Sequence, residues 1–98
     1  MSWRSRPRWT KHDTGQAQTI QELRQLGMIV WNLADHGGEV LDAIGFWRGA
    51  IRVIEFKRTG HEDDFTENET RSIEQLRNVG IEPIIATCAE DIIDQWTS

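Results

Sequence analysis

Three side chains on two neighbouring segments carry the chemistry this sequence offers: Asp42, Glu55 and Lys57. Residues 50–57 read as a β-strand, whose side chains alternate between two faces. Ile51, Val53, Glu55 and Lys57 share one face, and Arg52, Ile54 and Phe56 share the other. A carboxylate and an ammonium thus end an apolar row, and burying either without a partner is costly. The preceding strand supplies a partner, because Asp42 lies between Val40 and Ile44 on its own alternation. A turn at Arg48-Gly49 sets Asp42 roughly opposite Glu55. Two facing carboxylates repel unless a proton or a cation sits between them. A hard divalent ion, Mg2+ or Mn2+, takes oxygen ligands of this kind, with the Phe56 backbone carbonyl as a further donor. Lys57 would then stand beside the ion, able to hold and polarise an attacking water. The same residues also suit a plain ion pair at a strand end, Lys57 with Glu55 or Asp42, and both readings stay open on the residues alone.

The elements that position these groups follow from local signals. Asp13 or Thr14 caps a helix running to about Leu26, with Ala17, Ile20, Leu23 and Leu26 as its buried stripe and Gly27 as its stop. Residues 28–33 read as a first strand and 34–39, with His36-Gly37-Gly38, as a turn. Residues 40–46 and 50–57 form a hairpin. A polar loop over 58–65 carries Glu62-Asp63-Asp64. Thr66 and Glu69 form a capping box opening a helix to about Val79, with Ile73, Leu76 and Val79 inward and Gly80 beyond the end. Residues 81–86 make a fourth strand, which Pro83 favours at an edge. Thr87 and Glu90 repeat the capping-box spacing before a short last helix. The order is α-β-β-β-α-β-α, an α/β sandwich on a mixed sheet.

With 98 residues the chain makes one domain, burying roughly 60–70% of its unfolded surface. Apolar residues at 38% and charged residues at 28% exclude a disordered linker. No apolar run approaches the ~18 residues of a membrane span, and the opening arginines precede no apolar stretch of a secretory signal. The single cysteine, Cys88, excludes an internal disulfide and a cysteine-rich zinc site, which fits a reducing compartment. Charge is uneven. The net charge is −5, yet residues 1–12 hold Arg4, Arg6, Arg8 and Lys11 with no acid, leaving 7 basic against all 16 acidic residues in the rest. With Trp3, Pro7 and Trp9 among its arginines, this arm suits gripping phosphates and stacking on bases. An ordinary terminus, or a tail packing its tryptophans on a dimer partner, fits as well. Trp31 and Trp47 read as core or interface residues.

The aspartate before the hairpin and Glu55-Phe56-Lys57 after it resemble the PD-(D/E)XK nuclease superfamily. More narrowly, the chain is similar to the small stand-alone virus-type replication-repair nuclease (VRR-NUC) domains of phages and bacteria. Further landmarks are Leu23-Arg24-Gln25-Leu26-Gly27 closing the first helix, Phe65-Thr66 opening the second, and Gly80 before the last strand. The resemblance runs from about Lys11 to Trp96. It implies a restriction-endonuclease-like core, with a mixed central sheet flanked by helices, as one nuclease domain over residues 13–98 behind an arm over 1–12. It implies Asp42, Glu55 and Lys57 as the metal-binding and catalytic residues.

The implied activity is a Mg2+- or Mn2+-dependent deoxyribonuclease, a hydrolase of DNA phosphodiester bonds, acting as a homodimer in the cytoplasm of a bacterial or phage-infected cell. Nothing in the sequence reads bases, so the expectation is selection by DNA shape, such as a branch or junction. Arg4, Arg6, Arg8 and Lys11, with Arg48 and Arg58 near the site, are the expected phosphate contacts. Three positions depart from the family pattern. Leu41 stands where proline usually precedes the aspartate. Gln18 stands where a glutamate commonly faces the metal, either as a weak ligand or as a solvated amide. Glu69 stands where a glutamine is common, and its capping role explains it without chemistry. If Gln18 marks decay, the chain is a nuclease-fold module that binds DNA or protein without cutting.

Overall fold

The structure, a computed structural model, describes residues 12–33 and 41–98. The basic arm with Arg4, Arg6, Arg8 and Lys11, the turn with His36, and Val40 lie outside the described residues. Helix α1 (His12–Gln25) leads into β1 (Ile29–Asn32), β2 (Ala43–Trp47) and β3 (Ala50–Phe56). Helix α2 (Glu67–Asn78), β4 (Ile84–Ala86) and α3 (Ala89–Thr97) complete the chain. The strands form one mixed sheet in the order β1-β2-β3-β4. The first two pairings are antiparallel, and β3–β4 is parallel. The element order is the expected one, and β4 takes the edge, entered through the buried Pro83.

Local chemistry sets the boundaries. Both long helices end in the same way, with a glycine at positive φ (Gly27 at 98°, Gly80 at 86°) just past the last turn. At each end one backbone N–H reaches back five residues, Met28 to Leu23 O at 3.2 Å and Ile81 to Leu76 O at 2.8 Å, satisfying carbonyls the helix leaves open. Between β2 and β3 the chain turns in two residues, Arg48 (φ 52°) and Gly49 (φ 77°), and Trp47 pairs with Ala50 across it. Positive φ at both positions matches the right-handed twist of the strands.

The main core lies on one face of the sheet. Ile20 and Leu23 of α1 and Ile92 of α3 pack there against Val30, Ala43, Ile54 and Ile84, all buried. Gly45 is closely enclosed on this face: a Cβ there would stand 3.1 Å from the Met28 sulfur and from the Trp96 ring, so either would have to give by a few tenths of an ångström. Helix α2, the crossover between the parallel strands β3 and β4, lies over the other face. It leaves a groove of about 410 Å3 lined by Leu33, Leu41, Ile44, Val53, Leu76 and Val79. The row Ile51-Val53-Glu55 therefore belongs to the α2 side and not to the main core. Arg52, on the core side, donates to the Gln95 and Glu82 carbonyls.

Three local expectations need correcting. The buried stripe of α1 is Thr19, Ile20, Glu22 and Leu23, whereas Ala17 is exposed and Leu26 is 47% exposed. A strict three-residue spacing drifts about 60° per step around a helix with 3.6 residues per turn, so four such positions cannot share a face. In α2 the same drift leaves Ile73 buried, Leu76 half-buried and Val79 exposed. Helix α3 has no capping box at Thr87 and Glu90. It is capped at Cys88 without a side-chain bond, and Asp91 reaches back to accept from Thr87 N at 3.0 Å and Thr87 Oγ1 at 2.9 Å. Helix α1 begins at His12, so Asp13 and Thr14 fall inside its first turn.

Candidate active site

The β2–β3 register builds the site. Ala43 pairs with Ile54, so Asp42, one residue before β2, stands opposite Glu55. Both side chains leave on the α2 face, because strand neighbours alternate and Ala43 and Ile54 point into the core. Asp42 Oδ2 accepts the Phe56 N–H at 2.8 Å. Within a strand a residue's N–H and C=O leave on the same side, so the Phe56 carbonyl is also directed toward Asp42. The carboxyl group of Asp42 interacts with that of Glu55, and Glu55 with that of Glu69, each biasing the other's protonation. Glu55 is 2% exposed.

Lys57 closes the cluster. Its Nζ lies 3.4 Å from Glu55 Oε2 and 2.8 Å from Glu69 Oε1, and 4.8 Å from the centre of the Phe65 ring. Its backbone N–H donates to Ala86 O at 2.8 Å, which anchors the residue after β3 leaves the sheet. Glu69 holds two partners through one oxygen: Oε1 accepts from Lys57 and, at 2.9 Å, from Thr66 N. The capping box is present as the sequence indicates, with Glu69 N donating to Thr66 Oγ1 at 3.1 Å. Capping alone does not describe Glu69, because the same carboxylate is a neighbour of the acidic pair. A glutamate at the third position of a helix that follows closely on Glu55-Phe56-Lys57 was the signal for that second role.

Three carboxylates and one ammonium cannot all be ionised cheaply in a half-buried place. Burial, the Glu69 hydrogen bond and the Asp42 charge together push Glu55 up to about 9. Burial also raises Asp42, against the Phe56 N–H that favours its charged form. For Glu69, burial is outweighed by hydrogen bonds from Glu55, Lys57 and Thr66 N, which hold it down at about 2. For Lys57, too, burial is outweighed, and its two carboxylate partners raise it above the usual lysine value. Near neutral pH a proton therefore stays on Glu55, beside the ionised Glu69. The pair calls for positive charge.

A divalent cation suits that demand through its donor chemistry. Two carboxylates and a backbone carbonyl are a common protein share for Mg2+, which keeps several waters. Among the described residues, no group of three or more His, Cys, Asp or Glu side chains is arranged to hold a metal ion. Glu69 is turned to Lys57 and to the Thr66 N–H.

The other sequence candidates fall elsewhere. Gln18 lies on α1, which packs on the opposite face, and its Nε2 donates to Glu22 Oε2 at 3.2 Å. It does not touch the carboxylate pair. Glu22, buried on α1, went unremarked in the sequence; its spacing of four from Gln18 was the available clue. Arg48 stands at the hairpin tip over the Trp47 ring, 4.4 Å from its centre. The length of β3 separates it from Glu55 by about 20 Å at ~3.3 Å per residue, so Arg48 does not adjoin the site as expected. Arg58 follows Lys57 directly and is exposed. Among the described residues, no helix is long and apolar enough to cross a membrane.

A mixed α/β chain with a four-stranded sheet, three helices and an acidic pair beside a lysine is the class that fold and site define. Searches against family models, curated proteins and solved structures found no match.

Proposed function

We propose that the chain is a metal-dependent nuclease with a restriction-endonuclease-like fold, hydrolysing phosphodiester bonds in DNA and selecting its substrate by shape. One observation carries this reading. Asp42 and Glu55 face each other across a strand pair, with Lys57 Nζ 3.4 Å from Glu55, in surroundings that leave Glu55 protonated near neutral pH. A carboxylate pair that resists full ionisation is a ready acceptor for Mg2+ or Mn2+.

Asp42, Glu55 and the Phe56 carbonyl would hold that ion. When bound, it supplies charge for a phosphate oxygen and lowers the pKa of a coordinated water. Lys57 orients the attacking water and offsets negative charge gathering on the phosphate. Glu69 keeps Lys57 protonated and aimed at the pair, while the Phe56 N–H holds the Asp42 carboxylate in place. Arg58 and the arm residues Arg4, Arg6, Arg8 and Lys11 take backbone phosphates, which carry position but no sequence information.

The second reading is a module that binds DNA or protein without cutting. It draws on the Lys57–Glu69 contact of 2.8 Å, which by itself also describes a structural ion pair. Purified protein is incubated with labelled linear, flapped and four-way-junction DNA in Mg2+, Mn2+ or EDTA. Cutting that needs metal and disappears in Asp42→Ala and Lys57→Ala supports the hydrolase. Binding without cutting under every metal condition overturns it in favour of the module.

A further inference from the structure

The α2 side of the sheet carries two adjoining hollows. The first is the apolar groove of about 410 Å3, floored by Ile44 and Val53 and walled by Leu76 and Val79 of α2. The second, of about 170 Å3, runs along α2 between Asn68, Arg71, Ser72 and Gln75. Ser72 and Gln75 line both, so the hollows are continuous. The four polar residues recur at three- and four-residue spacing and so make one stripe of the helix. Within it Arg71 Nη1 donates to Asn68 Oδ1 at 3.1 Å and Nη2 to Glu67 Oε1 at 3.4 Å. These contacts are exposed, and such pairs contribute little in water.

Trp31 stands on the other side of the groove. The register pairs Trp31 with Ile44 and Ile44 with Val53, so the three side chains share one row on this face. The Trp31 ring packs on Phe46 with centres 4.6 Å apart. It is nevertheless 57% exposed, so it is no core residue. The row lies about 7 Å from Asp42 and Glu55, two residues along each strand. Leu41, which also lines the groove, directly precedes Asp42.

We infer that the groove receives one unpaired base of the substrate strand, stacked on Trp31, with its edge toward the amides of Asn68 and Gln75 and an adjoining phosphate on Arg71. The inference rests on the nuclease reading and gives its selection by shape a physical cause. A base has apolar faces and a polar edge, which matches a hollow with an apolar floor and one polar rim. Amide side chains both donate and accept, as base edges do. A wholly apolar occupant would cover the stripe and leave its polar groups without partners. A paired base keeps its faces inside the stack and must leave it to enter the groove, which costs least where the DNA is already unpaired. A branch supplies such a base beside the phosphate at the acidic pair, and an intact duplex does not.

For the test, 2-aminopurine, a fluorescent adenine analogue, replaces the unpaired base beside the branch of a flapped duplex, and binding of the full chain is followed in EDTA. The expected result is a change in probe emission that is absent when the probe is paired inside a linear duplex. Flapped DNA binds about tenfold tighter than linear DNA. Trp31→Leu keeps an apolar contact for Phe46 and loses most of that preference, since stacking on an aromatic ring is worth about 5- to 100-fold per base. Trp31→Phe restores it in large part, and Gln75→Ala lowers it about fivefold. Both positions are exposed, and circular dichroism checks the fold of each variant. If Trp31→Leu fails to fold, 5-iodouracil at the same DNA position, photo-crosslinked to the unaltered chain, decides. An adduct on Trp31 or on residues 72–79 supports the inference, and adducts confined to other residues overturn it. An unchanged probe, equal affinity for the two DNAs, or a preference that Trp31→Leu leaves intact overturns it even where the chain cuts DNA in Mg2+. Capture of the probe without cutting in Mg2+ or Mn2+ supports the groove and counts against the hydrolase. Absence of DNA binding overturns both.

Discussion

Lys57 and Glu69 join the end of β3 to the first turn of α2, Nζ to Oε1 at 2.8 Å, through the same oxygen that caps the helix. The side chain that starts the helix is therefore the one that aims the lysine. The two roles separate on substitution. Glu69→Ala removes both and costs about 1 kcal/mol from the cap, lowering Tm by about 4–8 °C. Glu69→Gln keeps an oxygen for Thr66 N and loses less than half of that. Both lower the Lys57 pKa, which side-chain NMR titration reads directly. Equal Tm losses in the two variants would contradict a capping role carried by the oxygen alone.

The acid–base balance of Glu55 sets a pH profile for the metal-free fold. Its carboxyl is raised from 4.5 to about 9, so the folded chain holds a proton that the unfolded chain has lost between those values. Stability from this group therefore falls as pH rises across that window. Glu69 acts in the opposite sense: held at about 2, it adds stability above pH 4.5 that is lost as pH falls. The expected Tm maximum without metal lies near pH 5. Glu55→Gln, which keeps hydrogen bonds at the centre of the cluster without a titrating proton, raises Tm at pH 8 by about 4 °C or more and leaves it nearly unchanged at pH 5. Calorimetry at the two pH values checks both signs.

If the pair takes a divalent cation, as proposed, the cation is expected to reverse that loss. Binding at Asp42 and Glu55 displaces the Glu55 proton, so the Tm gain from Mg2+ or Mn2+ grows between pH 6 and pH 9, and titration calorimetry in buffers of differing ionisation enthalpy shows proton release. A ligand at 100 times its Kd contributes about 2.7 kcal/mol, well within the range of a melting experiment. Asp42→Asn abolishes the gain. A gain that survives this substitution would move the cation away from the pair.

Gly45 tests the packing beneath the site. Gly45→Ala pushes a methyl against the Met28 sulfur and the Trp96 ring, each 3.1 Å from the new carbon. The expected loss is about 1–3 kcal/mol, read by urea denaturation with an unchanged slope. Neutral behaviour would mean that α3 yields without cost.

The arm is tested by salt. Removing residues 1–11 takes away four cations, so the slope of log affinity for duplex DNA against log salt falls by about 3 to 4 at ~0.9 per phosphate contact. Affinity drops for every sequence alike. An unchanged slope would remove the arm from the DNA contact.

The features legible in the sequence were those with short-range causes. The Thr66–Glu69 box, the Arg48-Gly49 turn, the glycine stops at Gly27 and Gly80 and the opposition of Asp42 to Glu55 all follow from spacing within one hairpin or one helix turn. What depends on distant contacts was not legible. Alternation in β3 defined two faces but could not say that Ile54's side meets α1 and α3 while Glu55's side meets only α2. Arg48 lay six residues from Asp42 in sequence, yet the hairpin carries it to the far end of the strand. Glu69's hold on Lys57 spans twelve residues and depends on how the 58–65 loop returns. Asp91 in place of Glu90 at the last helix followed from a one-residue shift in where that helix begins.

The two-residue turn between β2 and β3 has a consequence for how the chain tolerates change. Asp42, Glu55 and Phe56 come from one stretch of fifteen residues, folded back at a single point. Removing or adding one residue at that tip would send Asp42 to the opposite side of the ribbon with composition almost untouched. Whole segments grafted into the tip as in-register extensions would leave the acids where they are. The acidic end is thus insulated from growth at the tip and exposed to any error of a single step.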